Sequence, residues 1–169
     1  CGGLSMKYSQ IRSMDISNGE GVGVALFVQG CHFHCNNCFN SETWDFNGGK
    51  EWTDETEEEF LELVNKPYIQ RVSILGGEPL ENCNIPYLKR LLFKIPSDKA
   101  VWIYSGFTWE EILEVREKER LIVLCDVLVD GRYIHELRDV NLKFRGSSNQ
   151  RIIDVKKSLE SGDVILWDI

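Results

Sequence analysis

Cys31, Cys35 and Cys38 stand in a C-x3-C-x2-C spacing inside one short stretch of a 169-residue chain. Thiolates are ligands for zinc and for iron–sulfur clusters. Three from a single loop are an incomplete set, because a closed zinc site takes four protein ligands and a simple iron–sulfur carrier takes four cysteines. A cluster held by three would keep one iron open to another molecule. Zinc stays open as the alternative, completed by His32, His34, Cys83 or Cys125. His32 and His34 are two positions apart, so their side chains tend to point apart and suit packing or outer-shell hydrogen bonds better than a shared metal.

The elements around this loop decide where it sits. Residues 22–28 form a short apolar run consistent with a buried strand, and Gln29-Gly30 ends it immediately before Cys31. After Asn47-Gly48-Gly49 a helix starts at Thr53 or Asp54, with acidic residues in its first turn and Phe60, Leu61 and Val64 as its inward stripe. Pro67 limits it. Residues 71–75 read as a second strand, stopped by Gly76-Gly77-Glu78-Pro79. Pro86 opens a helix carrying Leu88, Leu91, Leu92 and Ile95 at helical spacing. Residues 100–104 are a third strand ended by Ser105-Gly106, and Thr108 with Glu111 forms a capping box for a helix to about Lys118. Residues 126–129 are a fourth strand, stopped by Asp130-Gly131.

This alternation predicts an α/β fold with mostly parallel strands and helical crossovers, and the expected form is a partial (β/α) barrel. The chain is too short for eight strand–helix units. Its chemistry is expected at the carboxyl ends of the strands, where the glycine turns recur. The last third differs: residues 135–149 are polar and loop-like, and 152–155 and 164–167 read as two short strands, a candidate hairpin. Nothing divides residues 1–169, which read as a single domain; residues 1–5 precede Met6 and are read as an appended segment outside the fold argument.

Composition narrows the class. Nineteen basic against 27 acidic side chains give a net charge of −8, which disfavours a phosphate backbone as partner and argues against nucleic-acid binding. No apolar run approaches membrane-spanning length, and the N-terminus has no signal-peptide pattern, so a cytoplasmic protein without a membrane partner is expected. Six cysteines in such a chain fit metal or redox chemistry better than a disulfide framework. Cys125, inside the apolar run 121–129, reads as a small buried hydrophobe, and Cys83 stays open as a fourth ligand.

With the cysteine loop after one strand and Gly76-Gly77-Glu78-Pro79 after the next, the chain resembles the radical S-adenosylmethionine superfamily. The stretch from Gly19 to Gly30 is similar to the corresponding strand of its glycyl-radical activating enzymes. Asn40-Ser41-Glu42-Thr43-Trp44, Tyr104-Ser105-Gly106, Asp126 through Gly131 and Lys143 through Arg151 resemble the family that activates anaerobic ribonucleoside-triphosphate reductase. The likeness runs over nearly the whole chain from about Asp15.

The resemblance implies that Cys31, Cys35 and Cys38 hold three irons of a [4Fe–4S] cluster, with S-adenosylmethionine on the fourth. One electron then releases methionine and a 5′-deoxyadenosyl radical, which takes hydrogen from a glycine of the partner reductase. No catalytic side chain beyond cluster and cofactor is implied; a low-potential flavodoxin-like or ferredoxin-like electron donor is. Gly76, Gly77, Glu78 and Pro79 would serve the methionine end, with backbone carbonyls or Glu78 accepting from its ammonium group. Asn40 and Trp44 follow the cluster as candidates for contact with the nucleoside or the partner, a packed core role fitting Trp44 equally well. Ser105 and Asp130 end successive strands as candidates for ribose, the methionine carboxylate or a monovalent cation, with turn roles fitting them equally well. Arg145, Ser147, Ser148, Asn149 and Arg151 are candidates for the cofactor or for docking the reductase. The superfamily's aromatic residue before the third cysteine is Asn37 here, leaving Phe39, Phe33 or backbone for adenine. Two rival readings remain: activation of another glycyl-radical enzyme such as pyruvate formate-lyase, and a non-enzymatic zinc-binding interaction module.

Overall fold

The computed structural model describes residues 5–38 and 40–169. Seven strands form one sheet: β1 Lys7–Asp15, β2 Gly23–Val28, β3 Lys50–Glu51, β4 Arg71–Gly76, β5 Ala100–Tyr104, β6 Val127–Asp130 and β7 Arg151–Asp154. Their order is β3-β1-β2-β4-β5-β6-β7. The middle four run parallel, whereas β1 is antiparallel to β2 and β3, and β7 is antiparallel to β6. The fold is therefore α/β but its sheet is mixed, rather than mostly parallel as the strand–helix alternation predicted. The reason is the connections. Parallel pairing needs a crossover, and both ends of the sheet lack one. Only a short loop joins β1 to β2, and the chain between β6 and β7 returns to the same rim.

Five helices follow: α1 Asp54–Val64, α2 Ile85–Phe93, α3 Trp109–Leu113, α4 Arg116–Ile122 and α5 Val155–Ser161. The expected starts hold. Thr53 caps α1 through its side chain, Pro86 lies in the first turn of α2, and the Thr108–Glu111 capping box is present. The expected helix to Lys118 is instead two short helices, with the extended Val115 between them. The expected C-terminal hairpin is interrupted by α5, and only a single bridge joins Ile153 to Leu166. β1 and β3 escaped the sequence reading because β1 is half exposed and β3 is two residues long.

Alternation along the strands sorts the core into two faces. Val24, Leu26, Val72, Ile74, Val101, Ile103, Leu128 and Ile153 pack against Phe60, Val64, Leu88, Leu91, Ile112 and Leu121 of the helices. The opposite face carries Ala25, Phe27 and Leu75, then Trp102, Val127, Val129 and Ile152, with Tyr104 touching both groups. Among the described residues no helix contributes to these two clusters; Phe144 and Trp167 pack there instead. That leaves room for a cavity on this side of the sheet.

The amino-terminal end of this face is fixed by a buried ion pair. Arg71, 1% exposed, donates to the Asp15 carboxylate at 2.9 Å, to the Asp15 carbonyl at 2.7 Å, to the Glu20 carbonyl at 3.0 Å and to Ser73 Oγ at 2.8 Å. Ser73 in turn donates to the Asn18 carbonyl at 2.6 Å. The β1–β2 loop is thereby tied down across the sheet. Burial pulls the Asp15 carboxyl up, but hydrogen bonds and charge from Arg71 and bonds from Asn18 outweigh it and hold the group below its ordinary value.

Candidate metal centre and cofactor cavity

The loop that carries the cysteines is set by backbone bonds on both sides. Cys31 N–H donates to the Trp44 carbonyl at 3.2 Å and Cys38 N–H to the Cys35 carbonyl at 3.1 Å. Gln29, 4% exposed, sends its amide to the Glu42 and Asp45 carbonyls at 3.2 and 2.8 Å, pinning the far side of the loop. His34 and Asn37 take left-handed backbone (φ 48° and 59°), which lets the chain coil tightly between the thiols. The His34 ring stacks on Trp44 with centroids 4.5 Å apart, and His32 bonds Glu81 through Nδ1 at 2.9 Å. His34 is thus packed against Trp44 and His32 is tied to Glu81.

The glycine turn after β4 is bonded directly to this loop. Gly77 N–H donates to the Val28 carbonyl and Glu78 N–H to the Gly30 carbonyl, each at 2.8 Å. A side chain at Gly77 would run into the Gly30 backbone, so this approach requires glycine. Glu78 is 1% exposed and its carboxyl accepts from Gly106 N–H at 2.7 Å, Ser105 Oγ at 2.8 Å and Leu80 N–H at 2.9 Å. Burial pushes this carboxyl up to about 7, against the pull of those donors.

Cys31, Cys35 and Cys38 line one cavity of about 510 Å³ together with Gly76, Gly77, Glu78, Ser105, Asn40 and Arg145. A cavity of this size accommodates a cofactor-sized molecule. Its wall also carries Arg12, Tyr104 and Arg132, which the sequence did not single out as donors, and Phe33, one of the candidates for adenine. Arg132 lies 4.4 Å from the Phe33 ring centroid, and Phe33 meets Phe107 edge-on. Tyr104 sits directly before the strand-ending Ser105, and Arg132 directly follows Asp130-Gly131, so strand ends were the available signal.

Other expected residues are placed elsewhere. Asp130 is 1% exposed and accepts Trp109 N–H at 2.8 Å and Arg151 Nη2 at 2.6 Å; Arg151 also bonds Glu110. This Asp130–Arg151–Glu110 set joins β6, β7 and α3, and none of the three lines the cavity. Buried Ser147 accepts Ile134 N–H at 3.1 Å and donates to Asn149 Oδ1 at 2.6 Å, and Asn149 donates to the Arg132 carbonyl at 2.8 Å. These two shape the loop that presents Arg132. Ser148 is exposed, Pro79 is buried, and neither borders the cavity. Phe39 lies outside the described residues.

All three loop cysteines and Cys125 are free thiols; Cys83 is disulfide-bonded and so not a spare ligand. Cys125 is fully buried among apolar side chains, as its sequence context suggested. Burial pushes the Cys31 thiol up to about 11 and raises that of Cys35, so metal binding has to displace protons there. Among the described residues no three His, Cys, Asp or Glu side chains are gathered around a single-ion position. Zinc thiolates sit about 2.3 Å from one metal, whereas a cluster spreads its thiolates over separate irons. Three free thiols line one wall of the cavity.

Known proteins decide the family. Residues 17–153 match the family described as 4Fe-4S single cluster domain. Anaerobic ribonucleoside-triphosphate reductase-activating protein of Escherichia coli (strain K12) is 35% identical over 150 residues, covering 86% of this chain and 96% of its own. The chain belongs to that family. The proteins of the same name from Vibrio cholerae and Enterobacteria phage T4 are 34% and 33% identical, over 87% of this chain in each case and 97% and 93% of theirs. Among the described residues no helix of this reductase-activating family member is long and apolar enough to cross a membrane.

Proposed function

We propose that this protein is a single-domain cytoplasmic radical S-adenosylmethionine enzyme that activates an anaerobic ribonucleoside-triphosphate reductase by generating its glycyl radical. Cys31, Cys35 and Cys38 would hold a [4Fe–4S] cluster, leaving one iron for the cofactor's amino acid end. When bound, cluster and cofactor together supply, from one electron of a flavodoxin-like or ferredoxin-like donor, methionine and a 5′-deoxyadenosyl radical that takes one hydrogen atom from a reductase glycine, leaving 5′-deoxyadenosine.

The chain's own residues orient and enclose. The observation that carries the reading is the direct bonding of the glycine turn to the residue before Cys31, with both motifs opening on one cavity. Because three chain donors already occupy the Glu78 carboxyl, its role is to tie the ends of β4 and β5 together under the cofactor. The ammonium group is then left to backbone carbonyls of the turn. Gly76 and Gly77 keep that turn thin enough for close approach, while Phe33 and Trp44 offer flat apolar surface near the cysteines.

The test is anaerobic incubation of the reconstituted, reduced protein with S-adenosylmethionine and the cognate reductase, read by electron paramagnetic resonance. A glycyl radical with about four irons per chain supports the reading. Colourless protein with stoichiometric zinc and no cofactor cleavage overturns it. Activation of pyruvate formate-lyase in preference to the reductase would move the partner and leave the chemistry.

A further inference from the structure

Three buried side-chain donors in the cavity wall have no hydrogen-bond partner: Trp44 Nε1, Tyr104 Oη and Arg145 Nε. Buried polar groups are nearly always paired, so three such atoms around one cavity mark places where a bound molecule supplies acceptors. They fall into two groups. Trp44 belongs to the cysteine rim, stacked on His34 and holding Cys31 N–H through its carbonyl. Tyr104 belongs to the sheet face below, packed against Phe27 and Leu75 on one side and Trp102 and Val129 on the other. The same face carries the buried Arg71–Asp15 pair at its amino-terminal end. Arg145 follows Phe144, whose ring meets Trp102 at 5.3 Å on this same face.

This part of the cavity is rich in donors and poor in anions. Arg12 and Arg145 line it, and the nearby carboxylate of Asp15 is taken by Arg71. Cationic groups, such as the ammonium and sulfonium of S-adenosylmethionine, are disfavoured here, whereas neutral carbonyl oxygens are welcome. A glycine offers no side chain for recognition, so whatever positions its Cα must hold the flanking peptide groups. Resting on the function proposed above, we infer that Tyr104 Oη and Arg145 Nε are positioning donors for main-chain carbonyls of the reductase segment that carries the target glycine. Burial holds the Tyr104 phenol far above its ordinary value, so it stays a neutral O–H donor at every working pH.

The experiment compares wild type with Tyr104→Phe, which loses one hydroxyl, and Arg145→Lys, which keeps the charge and loses Nε. Two quantities are read: 5′-deoxyadenosine formed with a chemical reductant and no reductase, and glycyl radical formed with the cognate reductase. A third reading, affinity of the iron-free protein for the reductase by titration calorimetry, is independent of the loaded site. Each variant should keep the cofactor KM and uncoupled cleavage within about twofold, while reductase affinity and radical yield at limiting reductase fall about three- to tenfold, the range of one hydrogen bond. A raised cofactor KM with unchanged reductase affinity would assign the donors to the cofactor and overturn the inference. No change in either quantity would overturn it as well. Absence of cleavage in wild type would instead sink the function on which it rests.

Discussion

The Glu78 carboxyl and the backbone of Gly106 meet at 2.7 Å, joining the turn after β4 to the turn after β5. Because the carboxyl is buried and raised to about 7, the folded chain holds its proton more tightly than the unfolded chain does near 4.5. The stability this contributes is fully present below about pH 4.5 and is lost as pH rises through 7. Wild type should therefore lose on the order of 3 kcal/mol relative to Glu78→Gln between pH 4.5 and 7. Gln, like the protonated carboxyl, presents a donor to the three donors around it, so the two proteins should be closest in stability below about pH 4.5. Parallel urea titrations of both proteins across this range check the slope and the offset; equal slopes would refute the assignment to Glu78.

The Asp15–Arg71 pair predicts the opposite trend in acid. With Asp15 held below its ordinary value, its contribution is present above about 3.8 and lost as pH falls toward the lowered folded value. Asp15→Asn should cost about 3–5 kcal/mol at pH 7, because it leaves the Arg71 guanidinium buried without its counter-charge. The cost should shrink in acid, where wild type loses the same charge. Thermal unfolding at pH 7 and pH 3 checks both statements.

The cysteine loop was legible because cysteine spacing, strand-ending Gly30 and the second glycine turn are local features of the chain. The four parallel strands were legible for the same reason, as short apolar runs between turns. What stayed hidden depends on long-range pairing. β1 is half exposed and alternates imperfectly, with register shifts on either side of residues 10–12. Arg71 reads as an ordinary charged residue at a strand start, yet its partners lie about fifty residues earlier. Asp130 was a candidate as a strand end and Arg151 through the resemblance of the stretch 143–151, but antiparallel pairing sets them opposite each other and bonds them together.

That pairing gives a prediction for the loop arginines. Arg151→Gln should remove bonds to Asp130 and Glu110 and lower stability by about 1–3 kcal/mol. It should leave the cofactor KM within about twofold, since Arg151 does not border the cavity. Circular-dichroism melting together with 5′-deoxyadenosine assays separates the two effects. A large rise in KM at unchanged stability would place Arg151 in the site.

The cysteines themselves divide three from one. Cys31→Ala, Cys35→Ala and Cys38→Ala should each lose bound iron and cofactor cleavage after anaerobic reconstitution, while the iron-free proteins stay folded, because these side chains are only half-buried. Cys125→Ala should keep both, with a packing cost of about 1–2 kcal/mol from removing one fully buried sulfur. Iron content and melting temperature of the four variants decide this. Iron retained in Cys35→Ala would mean that the cluster is held by another donor.

Gly77→Ala tests the link between the two motifs rather than either alone. The added methyl group would strike the backbone of Gly30, one residue before Cys31, where no flexible side chain can yield. Either the turn moves, and the Gly77 and Glu78 N–H bonds to Val28 and Gly30 break, or the cysteine loop moves. Two lost backbone bonds correspond to roughly 1–3 kcal/mol of stability. Both movements shift the thiolates relative to the turn that faces the cofactor, and a displacement of about 1 Å suffices for a hundredfold loss of rate. The variant should therefore bind iron with all three cysteines intact and yet cleave S-adenosylmethionine at least tenfold more slowly. Its iron content and its cleavage rate must be measured on the same preparation. Normal cleavage in an iron-replete Gly77→Ala protein would show that the contact between the turn and Gly30 does not position the site.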